Sequence, residues 1–277
     1  SKGVKNKGEI SVKPHGTAAM LGKYVSNSGT VKAKLGKIFM GSGEQVTINL
    51  QGNDMMNIIV PTNKIGEIKD VNGDSLQYLL SNMGKLEANG GYIQLSAATA
   101  ASLELGAINT GSSSVIKAAT INKSTGKVVI GGEESNFLKM NGTIYVNGDN
   151  PGSSAGEVRI SGKNVYQGGQ IYANGVKGGN VKVHSKDLLV LDGSIQTKGL
   201  NEGGSLIVMS ENALLTSYKN LLDASGYKKG GNIQSIANNY NIASGVYKAK
   251  SISGVGGKID ITANKVALNS ANVDASG

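Results

Sequence analysis

His15 and His184 are the only histidines in a chain of 277 residues, and they stand 169 positions apart. Neither belongs to a His-x-His or His-Glu-x-x-His spacing, so each is expected to be a turn or strand-face residue rather than a base or a metal ligand. There is no cysteine, which excludes disulfides and thiolate zinc sites. The carboxylates that could pair are Asp187, Asp192, Asp223 and Asp274. A glycoside hydrolase needs two carboxyl groups a few ångström apart. Here Asp223-Ala224-Ser225-Gly226 recurs as Asp274-Ala275-Ser276-Gly277, which points instead to a repeated turn in which Asp bonds its own backbone. Gly203-Gly204, Gly230-Gly231 and Gly256-Gly257 lack the Gly-x-Asp that completes a calcium-binding nonapeptide. They are expected to supply positive φ at chain corners. No phosphate-binding glycine loop is present. The composition thus assigns no catalytic residue, no metal ligand and no cofactor site.

One pair could bind something. Tyr145 and Tyr172 each lie three residues after a glycine, Gly142 and Gly169. Strand alternation sends both rings outward, stacked one repeat apart. Such a pair either holds a sugar ring or braces the scaffold by stacking. These two are the candidate glycan or receptor contacts.

The scaffold that positions them is a unit, Gly-x-apolar-x-apolar, repeated along the whole chain. Gly179-Asn180-Val181-Lys182-Val183 is one copy. Others begin at Gly16, Gly36, Gly91, Gly126, Gly156, Gly204, Gly231 and Gly257. Glycine turns the chain, and alternating apolar residues form a strand with one buried face. From Gly156 onward the units stand 23, 25, 27 and 26 residues apart, the mark of a solenoid. After Gly179 come two more strand-like runs, Leu188–Leu191 and Gly193–Thr197, each closed by turn residues. Three strands per coil define an all-β, right-handed parallel β-helix. At about 4.8 Å per coil it makes a rod about 40 Å long.

Three stretches break the rhythm. Gly36 to Gly91 spans 55 residues, two coils' worth. It carries a predicted extruded hairpin, Val46–Leu50 against Met56–Val60, then a short helix capped by Asp74 and stopped by Gly84. Together these form an insertion near 46–83. Ser96–Gly106 is Ala-rich and is expected to make one helical turn. Gly131–Met140 is a weaker irregularity. Insertions emerge on a solenoid's surface, so Gln51–Met83 is the expected contact region.

The net charge is +9, and Arg159 is the only arginine. Lysines spread over outward strand positions argue for solubility and protection against lateral sheet pairing, not for nucleic-acid binding. No apolar run reaches the roughly 18 residues of a membrane helix.

Four blocks in order carry a family resemblance, the two given next together with Gly41–Ile48 and Ile108–Gly111. Gly16-Thr17-Ala18-Ala19-Met20-Leu21-Gly22 with Val25-Ser26-Asn27-Ser28-Gly29-Thr30-Val31-Lys32-Ala33 resembles the Gly-Tyr-Val-Ala-Leu-x-Gly…Val-x-Asn-x-Gly-x-Ile-x-Ala run of two-partner-secretion exoproteins. Gly84-Lys85-Leu86-Glu87-Ala88-Asn89-Gly90-Gly91-Tyr92-Ile93-Gln94-Leu95 is similar to that family's Gly-x-Ile-x-Ala-x-Gly-Gly-x-Val-x-Leu. The resemblance, to the filamentous-haemagglutinin and high-molecular-weight-adhesin type, covers residues 1–120. It marks them as the later part of a secretion and haemagglutinin-activity domain, with 121–277 continuing the repeats. The family's Asn-Pro-Asn motif is missing, since Asn150-Pro151 is the only Asn-Pro. The transporter-reading signal is therefore expected upstream, and the chain is expected to be a piece of a larger surface protein. The resemblance implies a secreted, cell-surface shaft without enzymatic activity. It would act in adhesion, biofilm, virulence or effector delivery, with an outer-membrane transporter and a surface receptor or glycan as partners. The alternatives are a β-helix polysaccharide lyase or hydrolase, and a fibre subunit that self-associates head to tail.

Overall fold

The computed structural model describes residues 3–43, 45–48, 56–59, 69, 73–97, 106–121, 123–132, 136–150 and 152–277. Its strands build a parallel β-helix with three long ladders, and the described residues contain no helix. The glycine-led ladder stacks nine strands: Thr17–Gly22, Lys37–Ser42, Tyr92–Ala97, Lys127–Gly131, the first parts of Glu157–Gln167 and Asn180–Leu191, then Ser205–Ser210, Asn232–Ala237 and Lys258–Thr262. A second ladder runs from Val4–Asn6 through Val25–Asn27, Tyr78–Asn82 and Gly106–Thr110 to Lys265. A third runs from Glu9–Ser11 through Thr30–Lys32, Lys85–Glu87 and Val115–Lys117 to Asp274.

In-register alternation makes the core continuous. Ile38, Ile93, Val128, Val158, Val181, Leu206 and Ile233 occupy one inward column, and all are buried. Val31, Leu86, Ile116, Ile144, Ile171, Ile195 and Leu222 form another on the third ladder. Burial of each such side chain stabilises the rod by about 1.5–3 kcal/mol. A one-residue slip would turn every column outward, so the register is strongly specified.

The interior also holds a polar ladder. Asn6 Nδ2 donates to Asn27 Oδ1 at 2.8 Å, Asn27 Nδ2 to Asn82 Oδ1 at 2.7 Å, and Asn82 Nδ2 to Ser114 Oγ at 2.6 Å. Asn27 and Asn82 are fully buried, and each amide is satisfied by the rung beside it.

The glycines of the leading corner act by close approach. A Cβ on Gly204 would lie 2.1 Å from the Gly179 carbonyl oxygen, and one on Gly203 would lie 1.8 Å from that of Ala224. Positive φ, the expected reason, is absent at these double glycines. The rungs simply come too near for a side chain.

Two expectations about the insertion change. Lys37–Ser42 pairs directly with Tyr92–Ala97, so 55 residues advance the rod by one rung, not two. The extra length leaves at the corner between the glycine-led and second ladders. The hairpin is there: Gln45–Ile48 pairs antiparallel with Met56–Ile59, and its tip lies outside the described residues. The second strand of the hairpin lies against Lys37–Ser42 and Tyr92–Ala97. Beneath it the outward-facing Phe39 and Tyr92 are buried, their rings 6.0 Å apart. The short helix is replaced by the strand Tyr78–Asn82. Leu79 and Leu80, consecutive and both fully buried, give an apolar run without period-2 alternation. Of the proposed helical turn, Ser96 and Ala97 end a strand and Gly106 begins one; 98–105 lie outside the described residues. Phe137–Met140, in the third irregular stretch, is a regular strand of the second ladder.

Candidate functional site

The residues that could do chemistry are dispersed and engaged. His15 sits in an exposed turn at φ 65°, and His184 Nε2 lies 3.3 Å from Glu211 Oε1. Asp223 Oδ1 accepts the Ser225 N–H at 2.9 Å, and Asp274 Oδ1 accepts both the N–H and the hydroxyl of Ser276. This is the turn chemistry that the repeated Asp-Ala-Ser-Gly motif suggests. Hydrogen bonds from Ser276, and then from Lys250, hold the Asp274 carboxyl at about 2. Asp192 accepts from Ser217 Oγ and from Tyr166 Oη, the latter at 3.0 Å, and is likewise lowered, chiefly by Ser217. Asp187 Oδ1 accepts from Asn212 Nδ2 at 2.8 Å. Among the described residues no three His, Cys, Asp or Glu side chains converge as a metal site. No helix among them is long and apolar enough to cross a membrane.

Tyr145 and Tyr172 pair in register on neighbouring rungs of the third ladder. Their rings stack at 5.3 Å and 18°. Each therefore turns one face to the other, the Tyr172 hydroxyl donates to Gln170 Oε1, and Lys117 and Gln196 stand at the register positions beyond the two rings.

Two residues beyond each tyrosine the chain enters a groove of about 770 Å³ that no sequence argument above anticipated. It lies at the corner between the third ladder and the next glycine-led strand. Glycine at Gly148, Gly175, Gly199 and Gly226 brings bare backbone to its floor. Three of these glycines belong to a short extra ladder. Gly175–Lys177 pairs with Gly199–Glu202, and bridges from Gly199 to Gly226 and from Gly226 to Ser251 extend it. The residue after each bridge position forms the apolar wall: Val176, Leu200, Tyr227 and Ile252. Leu200 is 73% exposed and Ile252 78%. The floor carries Asn147 and Asn174, whose Oδ1 atoms accept the backbone N–H of Asn174 at 2.9 Å and of Lys198 at 2.8 Å. The signal in the sequence is the recurrence Gly-Val, Gly-Leu, Gly-Tyr and Ser-Ile just after successive third strands. It is invisible until the rungs are aligned.

No known family model matches the chain, and no curated protein matches it either. The described residues build a parallel β-solenoid with a groove along one of its corners.

Proposed function

We propose that the chain is a non-enzymatic structural and adhesive shaft of a secreted surface exoprotein. In this reading it is exported by two-partner secretion through an outer-membrane transporter and displayed on the cell exterior. The observation that carries the reading is the unbroken pairing of rung on rung from Val4 to Asp274. Every backbone ladder in such a rod is satisfied by its neighbours, so stiffness comes from the scaffold and contacts come from what projects from it. The hairpin packs over Phe39 and Tyr92, and the expected contact region Gln51–Met83 begins beyond its first strand. The groove opens at the corner after the third ladder. The engagement of Asp187, Asp192, Asp223 and Asp274 in local hydrogen bonds supports a scaffold role for the carboxylates.

The test is attachment. Beads coated with the protein are expected to adhere to cells or biofilm matrix under flow, above beads coated with an inert protein. Equal retention of the two would defeat the adhesive reading.

A further inference from the structure

We propose that the corner groove binds a linear, carboxylate-bearing polysaccharide laid parallel to the rod axis. The inference names the surface chemistry that the adhesive reading leaves open, and it rests on that reading. The wall supplies the first argument. Val176, Leu200, Tyr227 and Ile252 form an apolar strip, one side chain per rung, with an aromatic ring in it. A strip of this kind suits the C–H face of a sugar ring, because an aromatic body offers large contact area without a buried polar group.

The floor supplies the second. Asn147 and Asn174 spend their carbonyl oxygens on the rung beside them, which fixes both amides in one orientation. Their Nδ2 groups have no partner among the described residues. The next rung presents Lys198, exposed and without an ion-pair partner among the described residues. The row is donor, donor, cation, with no free acceptor between. An acceptor-rich anion is the ligand that satisfies it. The surrounding charge agrees. Lys228 and Lys229 are exposed nearby, Asp149 at the far end is held by Lys117 at 2.8 Å, and Glu202 lies 3.7 Å from Lys177.

Spacing decides between a saccharide and an acidic peptide. The donors repeat at the rung distance of about 4.8 Å. Each unit of an extended 1,4-linked hexose chain advances by about one rung. An extended peptide places like-facing side chains about 6.6 Å apart and falls out of step by the second donor.

The experiment is affinity electrophoresis of the protein through gels holding polygalacturonate or alginate, with neutral dextran and poly-glutamate gels beside them. The parent is expected to be retarded by the polyuronates and not by dextran. Lys198→Glu and Asn174→Asp are each expected to weaken binding by about tenfold or more, the scale of one lost charge-assisted bond, and Leu200→Ser by a similar factor through lost apolar contact. Leu200→Ser alters a projecting side chain, and Asn174→Asp keeps the oxygen that the backbone needs, so thermal midpoints should not move. Absence of polyuronate binding, equal retardation by dextran, or equal groove-dependent binding of poly-glutamate would overturn the proposal. Binding that survives the groove variants but is lost in Tyr145→Ala would also overturn it, by moving the ligand to the tyrosine stack. None of these results touches bead attachment, whose failure would sink the adhesive reading by itself.

Discussion

Inside the rod the side-chain amide of Asn27 donates to Oδ1 of Asn82 at 2.7 Å, across 55 positions of sequence. The two residues are one rung apart. The strands on either side of residues 43–77 keep their register: Lys37–Ser42 pairs with Tyr92–Ala97, and Val25–Asn27 pairs with Tyr78–Asn82. Asn27 links Asn6 on one side to Asn82 on the other. Asn27→Ala would leave the buried Asn82 Oδ1 without its donor and Asn6 Nδ2 with only a 3.5 Å contact to the Thr30 carbonyl. A loss of about 1–3 kcal/mol per orphaned group is expected, read as a lower urea midpoint with an unchanged slope.

The corner glycines make a sharper contrast. Gly204→Ala would set a methyl 2.1 Å from a backbone oxygen, which no side-chain motion can relieve. It should cost about 1–3 kcal/mol or more, as overpacking does. Gly8→Ala meets nothing within 4 Å and should stay within about 0.5 kcal/mol of the parent. Chemical denaturation of both variants separates a close-approach role from a general need for glycine.

Much of this architecture was legible because the two signals that specify it are local. Strand alternation and the rung glycine recur within each coil, so the units from Gly156 onward align by eye. What stayed hidden depended on contacts between rungs. The polar ladder uses Asn6, Asn27 and Asn82 at one inward position, where a lone Asn in a strand looks like an outward residue. Leu79 and Leu80 mimic a helical face because both are buried, one beside the other, where the chain re-enters the rod. The groove wall is a single apolar residue per coil, spaced by a drifting period, and only the aligned corner turns it into a strip.

The acid limb of stability should depend on Asp274. Its carboxyl sits at about 2 in the folded rod, below the ordinary carboxylate value of the unfolded chain. A lowered folded value means that the contribution is complete above the unfolded value and is lost as pH falls toward the folded one. Parent and Asp274→Asn should therefore differ near neutral pH and converge as pH drops from about 4 to 2. Asp192, lowered in the same direction, should add to the same window, so the Asp192→Asn/Asp274→Asn double variant should differ from the parent by more near neutral pH and converge with it over the same fall.

Replacing residues 44–60 with a short flexible link should leave the ladder standing, because Lys37–Ser42 pairs with Tyr92–Ala97 without the hairpin. It should also uncover Phe39 and Tyr92, now buried on the outer face. The expected result is a retained cooperative unfolding transition with raised binding of a hydrophobic dye. Collapse of the transition would show that the hairpin is needed to close the rod.

The measurement that tests the account most directly follows a surface polymer through contact with the protein. Polyuronate incubated with the chain and then sized by light scattering should keep its full length, since the proposed function is to hold a polymer without cutting it. Progressive shortening with new chain ends, abolished by Asp187→Asn or Asp192→Asn, would show an enzyme and contradict the proposed function.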